Sequence, residues 1–146
     1  MTANAVSFLA LPWRERWLLA QAMVLLPATA LALRFVPLRH LRSIIDRPRT
    51  TRRAHDKARA DRIAHMVAAA AAHGPYRATC LPQSIVLQWL LRRDGMRGEL
   101  RYGVRQVDGT VTRHCWVELD GEPLIDSAAV RRKFAVLEPS SARWSR

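Results

Sequence analysis

The sequence predicts an α+β domain, with N-terminal helices ahead of a short helix and an antiparallel β-meander. Three observations carry that reading. Apolar residues recur at helical spacing at Leu81, Ile85 and Trp89, with Val86 and Leu90 beside them. Alternation of period two then runs from Leu100 to Glu118, interrupted once by Asp108-Gly109, a strong hairpin signal. Upstream, an uncharged apolar stretch from Trp17 to Leu33 reads as helix.

The apolar stretch is flanked by Arg16 and Arg34. It is short for a membrane span, contains Gln21 and has Pro27 near its centre. Ala28-Thr29-Ala30 imitates a signal-peptidase site, but the preceding residues are long for a signal n-region and include Glu15. Two helices, or one kinked helix, packed on the domain or on a partner are expected, and peripheral membrane contact stays open. From Ile45 to Arg62 the chain is a polar, basic connector in which Pro48 breaks any helix. A further helix is expected from about Thr51 to Ala72, ended by Gly74-Pro75. The chain thus divides into an apolar helical region (1–45), a basic connector and helix (46–75) and a core (76–146), all within one compact domain.

The core opens with Thr79 as N-cap and Pro82 in the first helical turn, where its missing N–H costs nothing. Arg92 and Arg93 close the helix, and Gly95 is its C′ stop. Cys80 therefore lies on the first turn, where the helix dipole favours a thiolate. One strand is expected from Leu100 to Val107 and the next from about Thr110 to Glu118. The second strand places Thr112, His114, Trp116 and Glu118 on one face and Val111, Arg113, Cys115 and Val117 on the other. Lys133 to Glu138 reads as one more strand, and the tail from Pro139 is expected to fray, with Trp144 able to dock.

At 146 residues the chain can bury one core but not two. Two cysteines without paired spacing argue against a disulfide scaffold or a zinc site, and no cofactor is expected. A net charge of +12 points to a solvated basic surface or to an acidic partner. Nucleic acid is disfavoured, because the arginines form no recognisable binding motif or stacking platform.

Cys80, His114 and Asp126 supply in order a thiol, an imidazole and a carboxylate. A nucleophile needs a base, and the base needs an orienting acid. Taken singly, each has a plain structural role: a small buried hydrophobe, a structural histidine, a turn residue. Register decides whether the last two meet. A two-residue Asp120-Gly121 turn would set Asp126 against Cys115. A bulged loop of Leu119, Asp120 and Gly121, with Gly121 at positive φ, would set Asp126 across from His114, with β-carbons about 5 Å apart. The triad as drawn requires the second arrangement. Cys115 is expected to face away from the site.

The segment from Arg77 to Ser127 resembles the transglutaminase-like B2 (B) protein family of lasso-peptide biosynthesis. The matching residues are C-L-P-x-S from Cys80 to Ser84, W-L-L-R-R-x-G from Trp89 to Gly95, and Y-G-V from Tyr102 to Val104. H-x-W-V-E from His114 to Glu118 and D-G-x-P-L-x-D from Asp120 to Asp126 complete the set. The family commonly has a small residue where Cys115 stands and often Arg where Gln83 stands. The resemblance implies a transglutaminase- or papain-like core with Cys80 as nucleophile, His114 as base and Asp126 as orienting acid. It implies a cytoplasmic cysteine peptidase that cuts the leader from a ribosomally made precursor peptide. Its partners would be that precursor, a separate leader-binding (B1-like) recognition protein and the ATP-dependent lasso cyclase. A different thiol amidase or acyltransferase on the same core, or a non-catalytic adaptor for peptide or membrane, are the alternatives.

Overall fold

The computed structural model describes residues 10–45, 56–125 and 129–137. Four helices come first: α1 (Trp13–Phe35), α2 (Leu38–Ile45), α3 (Lys57–His73) and α4 (Cys80–Arg93). Then follow β1 (Glu99–Val107), β2 (Thr110–Leu119), β3 (Glu122–Pro123), one helical turn α5 (Val130–Lys133) and β4 (Ala135–Leu137). The α+β class is as the sequence predicts.

The apolar N-terminal stretch forms a single helix that runs through Pro27 without a break. Leu18, Leu19, Ala22 and Leu26 bury one face of it against α3 and α4. The opposite face is also apolar. At 100° per residue, Trp13, Trp17, Val24, Leu31 and Phe35 fall within about 40° of one another. They stay exposed, Trp13 at 72%, Trp17 at 60% and Phe35 at 79%. By length and composition α1 could cross a membrane, with a mean hydropathy of 1.7; here it packs on two helices of the domain.

α3 starts at Lys57 rather than near Thr51, because the Asp56 carboxylate caps it, accepting from the Arg59 N–H at 3.1 Å. Residues 51–55 lie outside the described residues. Ala60, Ile63, Ala64, Val67 and Ala70 form its buried face, and the small alanines let α1 and α4 approach closely. α4 ends as expected. The Gly95 N–H donates to Arg92 O at 3.0 Å and the Met96 N–H to Leu91 O at 2.9 Å, with Gly95 at φ +81°, which is a Schellman closure.

The sheet order is β3-β2-β1-β4, antiparallel throughout. Asp108 and Gly109 both have positive φ and form the two-residue turn between β1 and β2. The second turn departs from expectation. Leu119 pairs with Glu122 and Glu118 with Pro123, so Asp120-Gly121 is also a two-residue turn, with φ of +52° and +82°. Gly121 has the expected positive φ, but the bulged three-residue loop is not formed. The paired stretch stops at Pro123, followed by one bond from the Leu124 N–H to Val117 O at 3.1 Å. Continued in this register, position 126 would oppose Cys115, not His114. Asp126 itself lies outside the described residues.

β2 is covered on both sides. Cys115, Val117 and Leu119 join the main core with α4. Trp116 and Glu118, each 1% exposed, point the other way, under the segment that carries Arg131 and Phe134. Of the expected strand from Lys133 to Glu138, Ala135–Leu137 is β4, paired with β1; Lys133 ends α5 and Glu138 lies outside the described residues.

Candidate active site

Cys80 is the first residue of α4 and is half-buried. Thr79 holds the N-cap position without a side-chain cap bond. The Gln83 amide instead ties the approach to the helix, donating to Ala78 O at 2.8 Å. The geometry of α4 on β2 then decides what faces the thiol. α4 packs on the Cys115 face of the strand, so its first turn overlies Cys115 while His114 reaches in from the same stretch of strand.

Three groups bond to the Cys80 sulfur and lower its pKa from 9.0 to about 5. The strongest is a hydrogen bond from the Cys115 thiol, which outweighs the opposing effect of burial. The Cys115 backbone N–H adds a second bond, and His114 adds a third together with its charge. A thiol at such a value is largely thiolate at neutral pH, which is the form that attacks carbonyl carbon.

The structure thus joins Cys80 and His114 as the sequence predicts, and it corrects the expectation for Cys115. Strand alternation does place Cys115 and His114 on opposite faces, yet both touch Cys80. Ser84, one turn along α4 from Cys80, closes the cluster: its hydroxyl lies 3.8 Å from Cys115 Sγ and donates to Cys115 O at 3.4 Å.

His114 is held by aromatic rings. Trp116 stacks beside it at 6.0 Å between centroids, and Phe134 lies at 5.2 Å. Gly103 is the β1 partner of His114, and a β-carbon there would stand 2.7 Å from Phe134 Cβ and 2.9 Å from the Trp116 ring. Only glycine leaves both rings room. Trp116 is in turn anchored on Glu118, which also bonds Arg101 and Arg131. Burial works against ionisation of Glu118, but Arg131, Trp116 and Arg101 together hold its pKa below the ordinary carboxylate value. Phe134, Gly103 and the Glu118 cluster were missed by sequence reasoning; a Gly inside a strand pattern was the available hint.

Among the described residues, no three His, Cys, Asp or Glu side chains converge as a metal ion would need. A cavity of about 890 Å³ lies between the first turn of α1 and the C-terminal end of α4, lined by Arg14, Arg59, Arg62 and Asp94 among others. It contains neither Cys80 nor His114. The other histidines stand apart: His40, His65 and His73 are exposed, and His55 lies outside the described residues.

A family model described as the transglutaminase-like superfamily matches residues 22–138, well over half of the chain and including Cys80, His114 and Asp126. Comparison with curated proteins and comparison with solved structures each found no match.

Proposed function

Because the chain belongs to the transglutaminase-like superfamily, we propose that it is a cysteine peptidase that removes the leader from a ribosomally made precursor peptide in lasso-peptide biosynthesis. The observation that carries the chemistry is the Cys80 thiolate on the first turn of α4, bonded by His114 and Cys115. The choice of leader peptide as substrate rests on the motifs from Cys80 to Asp126 and goes no further than that resemblance.

In this reading the Cys80 thiolate attacks the scissile carbonyl carbon. The Cys80 N–H, at a helix start, is one donor to the developing oxyanion. The C–N bond breaks as His114 protonates the departing amine, leaving a thioester on Cys80 and a core peptide with a new N-terminal amine. Water then attacks the thioester carbonyl as His114 takes its proton, and the C–S bond breaks, releasing the leader acid, which ionises to the carboxylate, and restoring the Cys80 thiolate. Asp126 would fix the His114 tautomer. The β2–β3 register does not itself set it across from His114, and Asp126 lies outside the described residues.

A separate leader-binding protein would deliver the precursor. The exposed stripe on α1, from Trp13 to Phe35, has the spacing of a helix-packing seam, and Arg14, Arg16 and Arg34 flank it. That pairing of apolar seam and basic rim suits an acidic partner surface. The ATP-dependent cyclase would consume the liberated amine, and a reducing cytoplasmic setting suits an enzyme whose nucleophile must be a free thiol.

The test is to mix the chain with precursor and recognition protein in heavy-oxygen water. Expected is a leader whose new carboxylate carries the heavy label, with no product from Cys80→Ala. Transfer of the leader to an added amine without label would assign the site to acyl transfer. No turnover with a normally alkylated Cys80 would favour a binding role.

A further inference from the structure

Peptide cleavage needs one thiol, but the site holds two. Cys115 Sγ sits under the first turn of α4, 3.8 Å from the Ser84 hydroxyl. Its thiol and its backbone N–H both bond to the Cys80 sulfur. Cys80 is half-buried, whereas Cys115 is buried at 5% exposure, and both are thiols in the structure. An oxidant from solvent therefore meets Cys80 first, and the next nucleophile that an oxidised Cys80 meets is Cys115. The family resemblance offers no account of this second sulfur, since a small residue is common at that position.

We propose that Cys80 and Cys115 form a reversible intramolecular disulfide, with Cys115 acting as the resolving thiol for a hydroperoxide-oxidised Cys80. In the first step the Cys80 thiolate attacks a peroxide oxygen. The O–O bond breaks, sulfur is oxidised to the sulfenic acid, and hydroxide or alkoxide leaves, taking the proton shed by the Cys80 thiol. In the second step Cys115 sulfur attacks the sulfenic sulfur. The S–S bond forms, the S–O bond breaks, and the departing hydroxide takes the Cys115 proton as water. One peroxide is reduced, two thiols become one disulfide, and a dithiol reductant reverses the change. The low pKa of Cys80 favours the first step. The disulfide caps the nucleophile before it can pass to the irreversible sulfinic acid.

The proposal rests on the reactivity of Cys80 and not on the identity of its substrate, so the assay reads mass rather than cleavage. The full-length chain is treated with a few equivalents of hydrogen peroxide, quenched with catalase, alkylated and digested with trypsin. Expected is an intact mass lower by two hydrogens, no alkylated cysteine, and a crosslink between the tryptic peptides 78–92 and 114–131. Dithiothreitol should return both peptides to the alkylatable state. Cys115→Ala should give no crosslink and should instead accumulate Cys80 sulfenic acid, trapped by dimedone, then sulfinic acid that dithiothreitol does not reverse. Cys115→Ser, closer in size and polarity, should behave the same way, which separates loss of the resolving sulfur from a packing defect. Sulfinic acid on Cys80 of the unmodified chain without a crosslink, or a disulfide only between two chains, would overturn the proposal.

Discussion

The Trp116 indole N–H donates to Glu118 Oε1 at 2.9 Å, two residues along β2 and on the same buried face. This bond fixes the ring that stacks on His114, so the imidazole is positioned from a carboxylate two residues along the strand. Glu118 is held in turn by Arg101 and Arg131, which ties β1 and α5 to the same point.

Glu118→Ala should therefore destabilise the fold. It leaves the buried Trp116 Nε1 without its acceptor and Arg131 without its carboxylate, while Arg101 keeps Glu99, a loss of roughly 2 kcal/mol by analogy with other broken buried hydrogen bonds. Because the folded pKa of Glu118 is held below that of the unfolded chain, its contribution is present at neutral pH and lost as acid protonates it, below the ordinary carboxylate range. Chemical denaturation at pH 7 and at pH 3 tests both points. An equal loss in Glu118→Ala at the two pH values would contradict the assignment.

Alkylation of Cys80 by iodoacetamide, followed on its own tryptic peptide, should titrate with an apparent pKa of about 5. The order of effects is also set. Cys115→Ala should raise that pKa more than His114→Ala, since the Cys115 thiol makes the larger contribution. Peptide cleavage by Cys115→Ala should then fall most in mildly acidic buffer and recover toward pH 9. The thiolate's contribution to folding is complete above pH 9.0, declines between 9.0 and about 5, and is absent below. A profile unchanged by Cys115→Ala would show that its sulfur does not act on Cys80.

Gly103→Ala should loosen the site without touching any reacting atom. Its β-carbon would meet Phe134 Cβ at 2.7 Å and the Trp116 ring at 2.9 Å, so a backbone or ring shift is forced. The cost is about 1–3 kcal/mol, typical of overpacking. The near-ultraviolet circular dichroism of the tryptophans should change and Cys80 alkylation should slow. Native spectra and native alkylation together would show that the rings have spare room.

Docking of a recognition protein on α1 is testable only by surface substitution. Removing residues ahead of Ile45 would strip Leu18, Leu19, Ala22 and Leu26 from the core. Trp17→Glu and Val24→Glu should instead leave stability and Cys80 alkylation intact while raising the recognition-protein concentration needed for precursor cleavage. High salt should weaken the pairing of the unmodified chain. Unchanged cleavage by both variants would remove α1 from the docking surface.

Much of this arrangement was legible in the sequence where the cause is local. Pro82, Arg93 and Gly95 mark the bounds of α4 locally, although Thr79 at its N-cap makes no side-chain cap bond, and Asp108-Gly109 marks the hairpin. The same local rule applied at Asp120-Gly121, where a two-residue turn is again the favoured form. The bulged loop was expected there only because a triad needed it, and the backbone followed the dipeptide. Alternation correctly separated Cys115 from His114, but a period of two cannot say which layer covers each face. That was decided by α4 on one side and by Arg131 and Phe134 on the other, both remote in sequence. Pro27 left two helices or one kinked helix open, and α1 runs through it as a single helix whose Leu18-to-Leu26 face packs on α3 and α4.

If Cys80 is the nucleophile for peptide-bond cleavage, its acyl intermediate can be trapped. Precursor and recognition protein are mixed with the chain, quenched in acid within the first turnover, and digested for mass spectrometry. Expected is a hydroxylamine-sensitive thioester on the tryptic peptide 78–92, carrying the leader less one water, and none in Cys80→Ala. The same adduct on the Cys115 peptide, or leader release that persists in Cys80→Ala, would contradict it.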